Sequence, residues 1–152
     1  MRKLLIAEDD FFIRDIYSKV FALSGYEVEL AVDGEDALQK IKAKPAPYDM
    51  ILLDIMMPKV TGLDVLRQLR AMTTSLKDTS VFILSNLGQQ NIIEEAFKIG
   101  MDGYIIKSQM TPQQIVEEIN TYFNNKTAAP AAAPAAAPVE PVTPPEVLKP
   151  KV

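Results

Sequence analysis

Five short apolar runs, at 4–7, 28–32, 50–53, 81–84 and 104–106, are separated by longer stretches in which apolar residues return at helical spacing. The strongest runs are nearly continuous in aliphatic residues, as expected of strands buried on both faces. Between them, Phe12, Ile16, Val20 and Leu23 outline one helical stripe, and Ala37, Leu38 and Ile41 a second. Leu63, Leu66 and Leu69 outline a third, Ile92, Ile93, Ala96 and Phe97 a fourth, and Ile115, Val116, Ile119 and Phe123 a fifth. These stripes are expected to face the core. The punctuation agrees. Gly25 and Gly100 stand where the first and fourth helices should stop. Asp33-Gly34 opens the second helix, and Thr111-Pro112 places a capping residue before a proline at the first turn of the last. Strand–helix units in strict alternation specify a doubly wound α/β fold, a five-stranded parallel sheet with helices on both faces.

The pattern ends near Lys126. From Thr127 to Val152 the sequence turns to Ala/Pro repeats that hold most of the chain's 11 prolines. Proline fixes φ and removes backbone donors, so neither helix nor sheet propagates there. Residues 1–126 are therefore expected to form one domain, and 127–152 a disordered tail or linker. On this reading no output domain follows the fifth helix. Met1-Arg2-Lys3 precedes only the apolar residues Leu4 to Ala7 before Glu8, too short for a leader or a spanning helix. The expected location is the cytoplasm.

Composition narrows the chemistry. The chain has no cysteine and no histidine. Thiolate nucleophiles, imidazole bases and zinc sites built on those residues are excluded, and a bound metal would have to be a hard cation on oxygen ligands. The net charge of -4 argues against a general nucleic-acid or anionic-membrane binder.

In an open parallel sheet, ligands bind beyond the carboxyl ends of the strands. With strand order 2-1-3-4-5, the first strand runs into Glu8, Asp9 and Asp10, the third ends at Asp54, the fourth at Ser85-Asn86 and the fifth at Lys107. Their tips converge. Crowded carboxylates repel one another unless a cation is shared, and Mg²⁺ suits one or two carboxylates plus water and phosphate oxygens. Lysine and serine can hold phosphoryl oxygens, and a carboxylate can itself accept a phosphoryl group as an acyl phosphate. Asp10 is expected to be only a solvated residue at the start of the first helix.

The ordered series Glu8-Asp9, Asp54, Ser85 and Lys107 resembles the receiver domain of two-component response regulators, a flavodoxin-like fold. The segments Leu-Leu-Ile-Ala-Glu-Asp-Asp, Ile-Leu-Leu-Asp-Ile-Met-Met-Pro-Lys-Val-Thr-Gly and Gly-Met-Asp-Gly-Tyr-Ile-Ile-Lys carry the likeness over about residues 2 to 124. The resemblance implies a single-domain phosphorelay switch. A partner histidine kinase or histidine phosphotransfer protein would phosphorylate Asp54. Asp9, Asp54 and the Met56 backbone carbonyl would ligate Mg²⁺, with Glu8 acting mainly through metal-bound water. Lys107 and Ser85 would contact the phosphoryl group. Ser85 and Tyr104 would be the coupled switch pair, and helix four, strand five and helix five would present the signal to an unidentified protein or to a second copy in a phosphorylation-dependent homodimer. No contact with nucleic acid or membrane is implied. The chain would not be an enzyme, catalysing only its own phosphorylation and slow dephosphorylation.

Two positions depart from the family pattern. Ser108 follows Lys107 where a proline, often in a cis bond, is usual. Met56 and Leu87 are apolar where side chains often modulate phosphoryl lifetime, which implies a long-lived phosphorylated state. Two other functions compete. One is a pseudo-receiver acting as a constitutive docking or dimerisation module. The other is a Mg²⁺-dependent aspartyl-phosphate phosphohydrolase, against which Met56 stands where a second aspartate would be needed. A flavin-binding protein would need a hydroxyl- and glycine-rich loop where Glu8, Asp9 and Asp10 stand.

Overall fold

The computed structural model describes residues 1–43, 48–72, 79–86 and 90–128. Its elements alternate as expected: β1 (Lys3–Ala7), α1 (Phe11–Leu23), β2 (Glu27–Ala31), α2 (Gly34–Ala43), β3 (Met50–Asp54), α3 (Gly62–Arg70), β4 (Ser80–Ser85), α4 (Gln90–Ile99), β5 (Gly103–Ile106) and α5 (Pro112–Ala128), with a short 3₁₀ turn at Lys107–Gln109. All five strands are parallel, in the order β2-β1-β3-β4-β5. This is the flavodoxin-like sheet. The chain leaves β1 in one direction and returns to β3 on its other side, and that reversal opens a crevice at the strand ends.

Two compact units divide the chain, Met1–Val116 and Glu117–Val152. The first holds the whole sheet, α1 to α4 and the start of α5. The central strands β3 and β4 are buried along their full length, which explains the unbroken apolar runs at 50–53 and 81–84. Each fully buried Leu or Ile contributes roughly 1.5–3 kcal/mol relative to exposure. In the second unit, the described residues continue α5, of which Ile119 and Phe123 are buried. The Ala/Pro-rich stretch lies outside the described residues beyond Ala128. Among the described residues, no helix is long and apolar enough to cross a membrane.

The helix ends are closed as their residues suggest. Gly25 and Gly100 take φ of 95° and 122° just past α1 and α4. Thr111 Oγ1 accepts from Gln114 N–H at 3.1 Å while Gln114 Oε1 accepts from Thr111 N–H at 2.9 Å, a reciprocal capping box at α5. Asp10 is exposed as expected, but it is also the N-cap of α1, accepting from the Phe12 and Ile13 amides.

The first helix departs from expectation. Phe12, Ile16 and Leu23 are exposed, and the buried residues are Tyr17 and Phe21, with Ile13 half-buried on the same face. Apolar residues come in adjacent pairs along α1, so two stripes about 100° apart satisfy the helical period equally. The sheet takes the stripe containing the tyrosine. On α4 the same ambiguity arises, and Phe97 points outward while Ile93 and Ala96 are buried. Val32, expected to end the second strand, lies just past it and is exposed.

Candidate functional site

The strand register brings the polar ends together. Asp54 is the last residue of β3 and pairs with Leu84 of β4, and Ser85 pairs with Ile106 of β5, directly before Lys107. Glu8 follows β1, and its amide extends the ladder by donating to the Ala31 carbonyl at 3.1 Å. Four strand ends thus open into one basin.

The charges there are buried and in contact. Glu8 is 1% exposed and Asp54 3%. Lys107 Nζ lies 3.1 Å from Glu8 Oε1 and 3.3 Å from Asp54 Oδ2, so one ammonium serves two carboxylates. The second oxygen of each acid also has a partner. Glu8 Oε2 accepts from the Asp10 amide at 3.2 Å, and Asp54 Oδ1 accepts from the Met56 amide at 3.3 Å. Asp9 is exposed at the rim. Glu8, Asp9 and Asp54 each offer a carboxylate oxygen within 4.8 Å of the others, a grouping that could hold a metal ion. The donors are all oxygen, as a hard cation prefers.

Electrostatics follow from that crowding. Burial, then the Glu8 charge, push the Asp54 carboxyl up to about 7 against the opposing pull of Lys107. Burial alone would lower the Lys107 ammonium, but the Asp54 and Glu8 carboxylates outweigh it and hold its pKa above the ordinary lysine value. The basin is short of positive charge when only Lys107 is present. Ser85 adds a buried hydroxyl whose Oγ has no hydrogen-bond partner among the described residues. A group with phosphoryl or water oxygens entering the basin would satisfy it.

Of the remaining expected residues, Tyr104 lies on β5, half-buried and packed against the core. The Met56 side chain is exposed and only its backbone engages Asp54. The Lys107–Ser108 bond is trans. Leu87 lies outside the described residues.

Three contributors were not anticipated. Tyr17 on α1 is buried within reach of the acids' field, its phenol pushed up to about 12 by burial and then by the Glu8 and Asp54 charges. Only the second apolar stripe of α1 would have pointed to it. Arg14 fixes the turn after β1 by donating from Nη1 to the Glu8 carbonyl at 2.7 Å. Gly62 lets α3 start against the end of β3, since a Cβ there would fall 2.4 Å from the Asp54 carbonyl oxygen.

Comparison with known proteins agrees with this architecture. The chain matches the family model described as the response regulator receiver domain over residues 4–120. It is 30% identical to a chemotaxis protein CheY of Treponema pallidum, covering 77% of this chain and 79% of that one. It is 31% identical to the transcriptional regulatory protein ResD of Bacillus subtilis, covering 82% of this chain and 53% of that longer one. Among solved structures, the receiver domain of the Francisella response regulator 1452 superposes with a TM-score of 0.72 at 30% identity, over 83% of this chain and 99% of that one.

Proposed function

The chain belongs to the response regulator receiver family, and we propose that it works as a phosphoacceptor switch in which Asp54 receives a phosphoryl group from a histidine kinase or histidine phosphotransfer protein. The observation that carries this reading is the ion pair of buried Asp54 with Lys107 beside Glu8. An Asp54 carboxylate oxygen attacks phosphorus, the bond from phosphorus to the donor imidazole breaks, and an acyl phosphate forms on Asp54. No general base is needed once the carboxylate is ionised, the form that Lys107 favours and a bound cation would favour further. Lys107 Nζ holds one phosphoryl oxygen, and the orphaned Ser85 Oγ donates to another. Tyr104 follows Ser85 as its switch partner, and the change leaves through α4 and β5 to a protein that reads that surface.

The acid grouping fits Mg²⁺, which Asp9, Asp54 and the Met56 carbonyl would hold, with Glu8 acting through water. When bound, Mg²⁺ supplies the positive charge that the basin lacks and that an incoming phosphoryl group requires. Asp9, exposed at the rim, would be the most accessible of the acids that hold the ion.

Asp54 is almost fully covered, so a protein donor must seat itself on the rim to reach it. Phe11 and Phe12 directly follow the acids, Ile16 lies one turn beyond Phe12, and all three are exposed. We place the donor on this apolar patch. Met56, also at the rim, presents no group that would orient an attacking water, which supports a long-lived phosphorylated state.

The test is incubation of the full chain with Mg²⁺ and acetyl phosphate, followed by intact mass. A gain of about 80 Da, one phosphoryl group, is expected, dependent on Mg²⁺ and absent in Asp54→Asn. A constitutive docking module would gain no mass, and a gain that survives Asp54→Asn would remove Asp54 from the role.

A further inference from the structure

The loop between β3 and α3 is anchored by contacts that the phosphoryl chemistry above does not use. The Val60 amide donates to the Pro58 carbonyl at 2.8 Å, closing a three-residue turn around Lys59. Lys59 has φ of 70°, the one positive value on a non-glycine among the described residues. A γ-turn of this hand is rare and strained, and such strain persists only where surrounding contacts over-determine it.

Those contacts come from the start of α2. Lys59 Nζ lies 3.5 Å from Asp33 Oδ2 and 3.8 Å from Glu35 Oε1. Asp33 is 7% exposed, and its other oxygen accepts from the Asp36 amide at 2.8 Å to cap α2. The acid is therefore fixed independently of the lysine. Next to it, Gly34 packs so closely on Val60 that a Cβ would fall 1.8 Å from the Val60 carbonyl oxygen. The other end of the loop is tied by the Gly62 amide to the Ile55 carbonyl at 3.1 Å. Between these anchors is Met56, whose amide reaches Asp54 Oδ1.

We propose that Lys59 is a positioning residue for the acid basin: its ion pair with Asp33, backed by Glu35, holds the strained turn so that the Met56 backbone stays beside Asp54. Lys59 acts through the loop and touches none of the reacting groups. The inference rests on the proposed Mg²⁺-assisted role of Asp54. A simple field effect of Lys59 would have the opposite sign. Removing a cation near an acidic basin leaves the basin more negative and should tighten Mg²⁺ binding. Loss of a positioning contact should weaken it.

The experiment is calorimetric titration of Mg²⁺ into the full chain and two variants. Lys59→Asn deletes the ammonium with a residue that tolerates the left-handed backbone, and Lys59→Arg keeps the charge. The ion pair is on an exposed side chain, so the expected change is modest, with Lys59→Asn weakening Mg²⁺ about 3-fold. Lys59→Arg should restore the original affinity, and melting temperatures should stay unchanged in both. Unchanged or tighter Mg²⁺ binding by Lys59→Asn overturns the proposal while leaving the Mg²⁺ site standing. Absence of Mg²⁺ binding by the unsubstituted chain overturns the metal reading and this inference with it.

Discussion

The Lys107 ammonium stands 3.3 Å from Asp54 Oδ2 with both side chains largely buried, and Glu8 Oε1 holds the same ammonium at 3.1 Å. Breaking a buried pair leaves uncompensated charge, and here it would leave two carboxylates facing each other. Lys107→Met should therefore lower stability by about 2 kcal/mol without added cation. Added Mg²⁺ should recover more of that loss in the variant than it adds to the unsubstituted chain. Urea unfolding with and without Mg²⁺ measures both quantities, and an unaltered midpoint would mean that the pair contributes little to the fold.

Asp54 also makes stability depend on pH. Its carboxyl is raised from 3.8 to about 7 in the folded chain, so the folded state binds more protons than the unfolded state between those values. The stability this group contributes is fully present below the lower value and is lost as pH rises through the upper one. The chain should accordingly be less stable at pH 8 than at pH 5 without Mg²⁺. Asp54→Asn should flatten this slope and raise stability at pH 8. Denaturant melts at the two pH values decide it, and a slope that persists in Asp54→Asn would assign it to other groups.

If a protein donor docks on the α1 patch as proposed, variants there should separate two kinds of donor. Phe12 and Ile16 are exposed, so replacing them with serine should change stability by less than about 0.5 kcal/mol. Acetyl phosphate needs no docking surface, and its reaction with Asp54 should be unchanged. Phosphotransfer from a protein donor should slow by about 10-fold, the effect of losing roughly 1.4 kcal/mol of apolar contact. Equal slowing with both donors would place the defect in the basin instead.

Arg70 joins three segments away from the site. Its Nε donates to the Gly100 carbonyl, Nη1 to the Thr79 carbonyl and Nη2 to Asp102 Oδ2, at 2.8, 2.8 and 2.9 Å. Asp102 Oδ2 in turn accepts from the Val81 amide at 2.8 Å. The fork of a guanidinium is needed to reach all three acceptors. Arg70→Met should destabilise the chain by about 2 kcal/mol, and Arg70→Lys should recover less than half of it. Full recovery by lysine would show that charge, not the fork, is what matters.

Much of this architecture is legible in the sequence because buried parallel strands leave little choice. Residues 50–53 and 81–84 are apolar throughout, and the acids, serine and lysine that follow such runs mark the strand ends. The basin was legible for the same reason: once the strand order is assumed, Glu8, Asp54, Ser85 and Lys107 have one place to meet. What the sequence does not resolve is rotation about a helix axis. Phe12 and Tyr17 lie on neighbouring stripes of α1, and only the packed sheet decides which is covered. Backbone devices are also silent in sequence. Lys59 at positive φ and the approach of Gly34 to Val60 depend on where a loop lands, which no local pattern encodes.

The Ser85 hydroxyl is buried without a partner among the described residues. An unsatisfied buried hydroxyl destabilises by about 1 kcal/mol or more, and alanine removes it while leaving only a small void. Ser85→Ala should therefore hold or raise the stability of the unphosphorylated chain, by up to about 1 kcal/mol. If Ser85 donates to the phosphoryl group as proposed, phosphorylation by acetyl phosphate should slow by about 10-fold or more, as expected for a lost hydrogen bond to charge. Ser85→Thr keeps the hydroxyl and should retain most of the rate. Thermal melts and phosphorylation time courses on the same preparations read both effects. A variant that loses stability and rate together would make Ser85 a packing residue; gain of one with loss of the other assigns the hydroxyl to the phosphorylated state.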